Sequence, residues 1–169
     1  TGEGQWVHTS LLESMIQMMD FQASRYLVDS EVPKQAGNNH PTSIPTGVFE
    51  TADGHINIAA SGQVLFARFC EAVGLEHLVD DPKFDRGGAR SDNRDELNAI
   101  INDRIREESS QHWVDLLNEV GVPCGPIYSV DQVFADPQVQ HLKIAKTQHH
   151  PKLGDIHLVG QAINLTKTP

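Results

Sequence analysis

The stretch from Gly37 to Ala60, GNNHPTSIPTGVFETADGHINIAA, opens with the residues best suited to meet a ligand. Gly37 places no Cβ between its backbone and an approaching group, and Asn38, Asn39 and His40 add two carboxamides and an imidazole. Gly37, Asn38, Asn39 and His40 are therefore candidate substrate contacts, with a plain surface connection as the alternative. Other reactive side chains carry less. His149, His150 and His157 fall near one expected hairpin, but adjacent strand residues point to opposite faces and no Cys, carboxylate set or helical HxxxH completes a metal site. Cys124 lacks an adjacent helix N-terminus and an identifiable base, so it reads as a buried structural thiol. Asp80-Asp81 has the look of an ordinary acidic turn, and neither a strand-to-helix phosphate loop nor a G-x-S-x-G elbow is present. No residue of this chain is assigned a catalytic or metal-binding role.

A loop of this kind needs a rigid support. The period-2 runs Val48 to Thr51 and His55 to Ala60 predict a hairpin around Ala52-Asp53-Gly54, with Gly54 left-handed and Ile56 and Ile58 on the buried face. Upstream, Ser10 and Glu13 have capping-box spacing, and Leu11, Leu12, Met15, Ile16 and Met19 recur at helical intervals, predicting one helix to about Leu27. With Met18 its apolar surface exceeds one stripe, so it is expected to dock outside the present chain, and Ser30 to Ala36 reads as a linker. Downstream, Ser61 is the expected N-cap of a helix that buries Leu65, Phe66, Phe69, Cys70 and Val73 and stops at Gly74. A short helical turn follows within Leu75 to Phe84, then a Gly87-Gly88 loop. A helix capped by Ser91 buries Leu97, Ile100, Ile101 and Ile105, its charged residues forming a solvated face. Ser109 or Ser110 opens the next helix, with Trp113, Leu116, Leu117 and Val120 inward and Gly121 at its end. After the Val122 to Tyr128 connector come a second capping box at Ser129 and Gln132, two short helices split near Asp136-Pro137, strands over Lys143 to His149 and Asp155 to Leu158, and a further strand near Ala162 to Leu165. The sum is α+β, a small antiparallel sheet covered by helices.

Charge and composition narrow the partners. Thirteen Lys and Arg against 23 Asp and Glu give a formal net charge of -10 with no basic cluster, which argues against nucleic acid and anionic membranes. No apolar run approaches the roughly 20 residues that span a bilayer, and no signal peptide opens the chain, so a soluble protein is expected. Cys70 and Cys124 are the only cysteines and lack CxxC spacing, which suits a reduced, cytoplasmic setting.

Four motifs in order carry a family resemblance over essentially the whole chain. TGEGQWVHTSLLES, GNNHPTSIPTGVFETADGHINIAA, GVPCGPIYSVDQVFADPQV and HHPKLGDIHLVGQAINL resemble the TGxGQ, GxxHP…PYGVFxTADG, G-(I/V)-P-C-G-P…DP and HPxxG…VGxPxxL segments of the family III CoA-transferases, with Thr46 where that family often has Tyr. The family includes formyl-CoA transferase, carnitine CoA-transferase and 2-methylacyl-CoA racemase. The resemblance implies a large Rossmann-like domain and a small α+β domain joined by long linkers, with two subunits interlocked as a homodimer. On that pattern residues 1–46 are the end of the large domain and a linker, 47–142 the small domain, and 143–169 the closing strands and return linker.

The same resemblance implies the reaction. A nucleophilic aspartate upstream of this chain attacks an acyl-CoA thioester and passes through an anhydride and an aspartyl-CoA thioester before a carboxylic acid takes over the CoA. Coenzyme A enters as substrate and no cofactor is implied. Gly37 to His40 stand where formyl-CoA transferase has a glycine-rich loop over these intermediates. A racemase is the alternative, but its glutamate after the second hairpin strand is replaced here by Ala60-Ser61-Gly62-Gln63. A non-catalytic dimerisation or interaction module is the other alternative, and the chain alone is expected to be inactive.

Overall fold

The computed structural model describes residues 2–163, which divide into two compact units between Gly125 and Pro126. In the first unit, Ser10 caps helix α1 (Leu11–Gln17) by accepting from the Glu13 N–H at 3.2 Å. Helix α2 (Asp20–Asp29) follows, and neither helix has a buried residue. The single helix expected to reach Leu27 is thus two. Asp20 sits at φ 49°, a left-handed conformation that Asp tolerates better than most residues, and no packed face enforces continuity there. As expected, Leu11, Leu12, Met15, Ile16, Met18 and Met19 are exposed, from 51% at Ile16 to 87% at Leu11.

The hairpin forms where the alternation placed it. Strands β1 (Thr46–Glu50) and β2 (His55–Ala59) pair antiparallel with Phe49 opposite Ile56, and Phe49, Ile56 and Ile58 are buried together. A short strand, β3 (Cys124–Pro126), completes the order β1-β2-β3, while Ala59 N donates to Pro123 O at 3.0 Å. The turn differs from expectation, because Gly54 has no positive φ. Its shape is set instead by Asp53, whose Oδ1 accepts from Ser110 N at 2.7 Å and from Thr51 Oγ1 at 3.1 Å.

That carboxylate makes the turn sensitive to acid. The Ser110 N–H, then its hydroxyl, hold Asp53 below the usual 3.8. A folded-state pKa below the unfolded one gives stability that is present above 3.8 and lost as pH falls through the folded value. Asp53→Ala is therefore expected to lower Tm at neutral pH, and the gap from wild type should narrow well below pH 3.8. A gap constant with pH in thermal unfolding would contradict this.

Four helices cover the sheet: α3 (Gln63–Val73), α4 (Gly87–Asp92), α5 (Arg94–Ile105) and α6 (Ser110–Glu119). Phe66, Phe69, Val73, Leu97, Ile101, Ile105, Trp113 and Leu117 fill the core, and Trp113 Nε1 donates to Ile105 O at 2.7 Å. Gly74 and Gly121 close α3 and α6 with positive φ, as the spacing predicts. Three boundaries differ from expectation. Gly62 rather than Ser61 is the N-cap of α3, and the Ser61 carbonyl accepts from Arg90 Nη2 at 2.9 Å. Gly87 and Gly88 begin α4 instead of forming a loop, because Ala89 and Arg90 are buried and tertiary packing overrides the weak propensity of glycine. Ser91 lies inside that helix, and Asn93 N-caps α5 without a side-chain bond.

In the second unit, the Ser129 and Gln132 capping box opens α7 (Val130–Ala135) as expected, and Asp136 caps α8 (Pro137–Leu142). Strands β4 (Ala145–His150) and β5 (Gly154–Val159) form a separate two-stranded antiparallel sheet. Ala162 and Ile163 are not in a strand, because the ladder ends where Gly160 N donates to Ile144 O at 2.7 Å; the rest of the strand expected there lies outside the described residues. The architecture is α+β, small antiparallel sheets with covering helices. No helix among the described residues is long and apolar enough to cross a membrane.

Candidate functional site

The loop that begins at Gly37 folds back along β1. Gly37 adopts φ +59° in open space, and the turn closes with Asn39 N donating to Ala36 O at 3.1 Å. Asn39 then bridges Gly47, His40 N donates to Thr46 O at 2.8 Å, and Val48 N donates to Asn38 O at 3.1 Å. Asn39 and His40 thus use their N–H groups within the protein. The N–H groups of Gly37 and Asn38 meet no acceptor among the described residues, and both residues are exposed. Two neighbouring free donors on a pinned loop are what binding an oxyanion or a carbonyl requires.

The side chains of the loop fasten it. His40 Nδ1 accepts from Thr42 N at 3.2 Å and Ser43 N at 3.0 Å, which puts the proton of a neutral ring on Nε2. The His40 ring also stacks on Phe21 at 5.5 Å between centroids. Asn39 Oδ1 accepts from Asn98 Nδ2 at 3.2 Å, and Arg94 Nη2 donates to Pro41 O at 2.7 Å. Arg94 and Asn98, one turn apart on α5, therefore face the loop, while Asp95, Glu96 and Asp103 are exposed and form the expected solvated face.

Arg90 is the group that residue spacing did not flag. It is only 1% exposed, and its guanidinium donates to Ile44 O at 3.0 Å, Phe84 O at 2.8 Å, Gln63 Oε1 at 3.0 Å and Ser61 O at 2.9 Å. All four acceptors are neutral, and the Phe66 ring lies 4.4 Å below the charge. Burial pushes the guanidinium pKa down from its ordinary value, yet an arginine remains charged at neutral pH. One side chain thereby ties the far end of the loop at Ile44 to the exit of the hairpin and to the start of α3.

The remaining reactive groups stay apart. His149 Nδ1 lies 2.9 Å from Asp155 Oδ1, His157 Nδ1 lies 3.3 Å from Thr147 Oγ1, and His150 Nδ1 accepts from two backbone N–H groups. Among the described residues no three ligating side chains converge. Burial pushes the Cys70 thiol up to about 12 and the Cys124 thiol up to about 11, so neither is a ready nucleophile, and both are free. A concavity of about 720 Å³ in the second unit is walled by the apolar Phe134, Val139, Ile144, Leu158 and Val159 together with Lys143, Lys146, Thr147 and His157.

Comparison with known proteins bears on the same residues. The family described as CoA-transferase family III matches residues 1–169. Succinyl-CoA:glutarate CoA-transferase of Homo sapiens is 34% identical over 99% of this chain and 38% of its own length. Succinyl-CoA:mesaconate CoA-transferase of Haloarcula hispanica is likewise 34% identical, over 99% of this chain and 42% of its own. A CAIB/BAIF family protein from Brucella suis, known from its crystal structure, is 28% identical with a TM-score of 0.77, covering 98% of this chain and 43% of that one. The chain spans about two fifths of the length of the relatives it matches.

Proposed function

The chain belongs to CoA-transferase family III, and from that premise we propose that it works as part of a longer enzyme, the parent, that moves CoA between an acyl-CoA and a carboxylic acid. The observation that carries this reading is the family match over residues 1–169, joined by relatives named for CoA transfer from succinyl-CoA to glutarate or mesaconate.

In the proposed reaction an aspartate of the parent outside this chain is the nucleophile. Its carboxylate attacks the thioester carbonyl and expels CoA thiolate, leaving an acyl-aspartyl anhydride. The thiolate then attacks the aspartyl carbonyl and releases the first acid, which leaves an aspartyl-CoA thioester. The acceptor carboxylate repeats these steps in reverse. Each intermediate is an acyl donor that water would hydrolyse, so excluding water is the task left to this chain. The loop at Gly37 to His40 covers the intermediates, its free Gly37 and Asn38 N–H groups directed at the carbonyl oxygen where negative charge develops. The exposed apolar residues of α1 and α2 dock on the rest of the parent in an interlocked homodimer, since leaving each large side chain in water costs about 1.5–3 kcal/mol. Coenzyme A is the substrate and no further cofactor takes part; the two free thiols suit the cytoplasm.

Incubating the parent with succinyl-CoA and glutarate or mesaconate should yield the new acyl-CoA by liquid chromatography, with a CoA adduct on one aspartate by mass spectrometry. The chain alone should give background only. Racemisation of a 2-methylacyl-CoA without transfer, or turnover by the isolated chain, would overturn the assignment.

A further inference from the structure

Beside the Gly37 to His40 loop lies a concavity of about 360 Å³, walled by Arg25 of α2, by Glu31, Lys34 and Ala36 of the segment that follows, by Pro41, and by Arg94 of α5. Ala36 and Pro41 are the residues on either side of the loop, so the concavity and the loop share a wall. Three cations meet a single carboxylate here, a local reversal of sign in a chain whose formal net charge is -10.

The three cations are not equivalent. Arg25 is matched by Glu31, with Nε 3.3 Å from Oε2 and a second contact from Nη2 to Oε1. Lys34 is exposed and enters no ion pair among the described residues. Arg94 donates from Nη2 to Pro41 O at 2.7 Å, while its Nε is buried with no acceptor among the described residues. A guanidinium held in place by one bond, with its Nη1 making no hydrogen bond among the described residues, keeps a terminal donor for an incoming anion, whereas the Nε is closed to water and ligand alike.

We propose that this pocket holds the free carboxylate of a short dicarboxylic acid, the end that is not joined to CoA. The proposal rests on the CoA-transfer reading and adds a substrate class to it. One carboxylate of such an acid reacts, while the other stays ionised and needs a cationic seat that the covering loop does not occupy. Pockets for small ligands begin at about 300 Å³, so the space suits a short acid. Lys34 supplies a mobile point charge, and Arg94 supplies a guanidinium fixed by Pro41 O with its Nη1 left to donate. A phosphate of CoA is the other anion with this chemistry, and the choice of acceptor separates the two.

The test uses the full-length parent with succinyl-CoA as donor and compares glutarate with pentanoate, which has the same chain length and no second carboxylate. The ratio of their kcat/KM values cancels any general loosening of the loop. Lys34→Glu should lower the glutarate-to-pentanoate ratio by about tenfold or more, and Arg94→Met should lower it by a similar factor, since each removes a charge-assisted contact. Calorimetric titration of glutarate into the same proteins reads the pocket without turnover. An unchanged ratio in both variants, an equal loss for both acids, or an effect confined to KM for the acyl-CoA would overturn the proposal. Should wild type transfer no CoA while Lys34→Glu still abolishes glutarate binding, the pocket would stand and the CoA-transfer reading would fall.

Discussion

Replacing Arg90 with Met is expected to destabilise the protein by about 3 kcal/mol or more. Met keeps the apolar stem as far as the position of Nε and lacks Cζ, Nη1 and Nη2, so the loss combines the missing donors with the small void they leave. Four acceptors would lose their donor: the carbonyls of Ile44 and Phe84 in the buried interior, and the Ser61 carbonyl and Gln63 side chain at its partly buried edge. Each hydrogen bond to a charged group is worth about 1.5–3 kcal/mol, but the four act as one network and do not add. Arg90→Lys keeps the charge and reaches fewer of these acceptors, so it should fall between wild type and Arg90→Met. Denaturant unfolding with an unchanged m-value checks the order. A loss below about 1 kcal/mol for Arg90→Met, the scale of a surface charge, would contradict the network account.

Arg90 also marks where the sequence stopped being informative. Hydrophobic periodicity located the hairpin and its buried face, because Ile56 and Ile58 alternate with polar residues and the pleat leaves them no other side. It located α3 and α6, whose apolar residues return every three or four positions, and the Ser129 capping box, whose hydrogen bonds are local. It failed where long-range contacts decide. An arginine between Ala89 and Ser91 looks solvent-bound until Ile44 and Ser61, far away in the chain, are seen to surround it. The Gly87-Gly88 pair read as a loop for the same reason. Arg94 and Asn98 had a usable signal, since they lie one turn apart beside the Leu97 and Ile101 stripe, but nothing in the sequence said that the loop would be their neighbour. At Gly54 a turn composition that favours positive φ gives way to a carboxylate anchored on α6. Gly37 to His40 were visible as a polar loop. That Asn39 and His40 bond inward while Gly37 and Asn38 keep free N–H groups follows only from the pairing with β1.

That pairing depends on Gly47, where the second large effect is expected. A Cβ at this position would lie 2.7 Å from Asn39 Oδ1 and 2.9 Å from Asn38 O, closer than real contacts allow. The Asn39 carboxamide can rotate away, at the loss of its bond from Asn98, but Asn38 O is backbone and accepts from Val48 N at 3.1 Å. A methyl group therefore pushes the loop off β1 while the core beneath, built on Phe49, Ile56 and the helices, keeps its contacts. A misplacement of about 1 Å at a reacting centre costs roughly a hundredfold in rate. If the loop at Gly37 to His40 covers the acyl intermediates, Gly47→Ala in the parent should lower kcat for CoA transfer by about tenfold to a hundredfold. Acyl-CoA affinity should change by less than about twofold, because in this account CoA is held by the rest of the parent. Steady-state kinetics of Gly47→Ala beside a direct acyl-CoA binding titration is the measurement: a collapse of kcat with binding intact is the predicted result, and an unchanged kcat would leave the loop a surface connection with no part in the reaction.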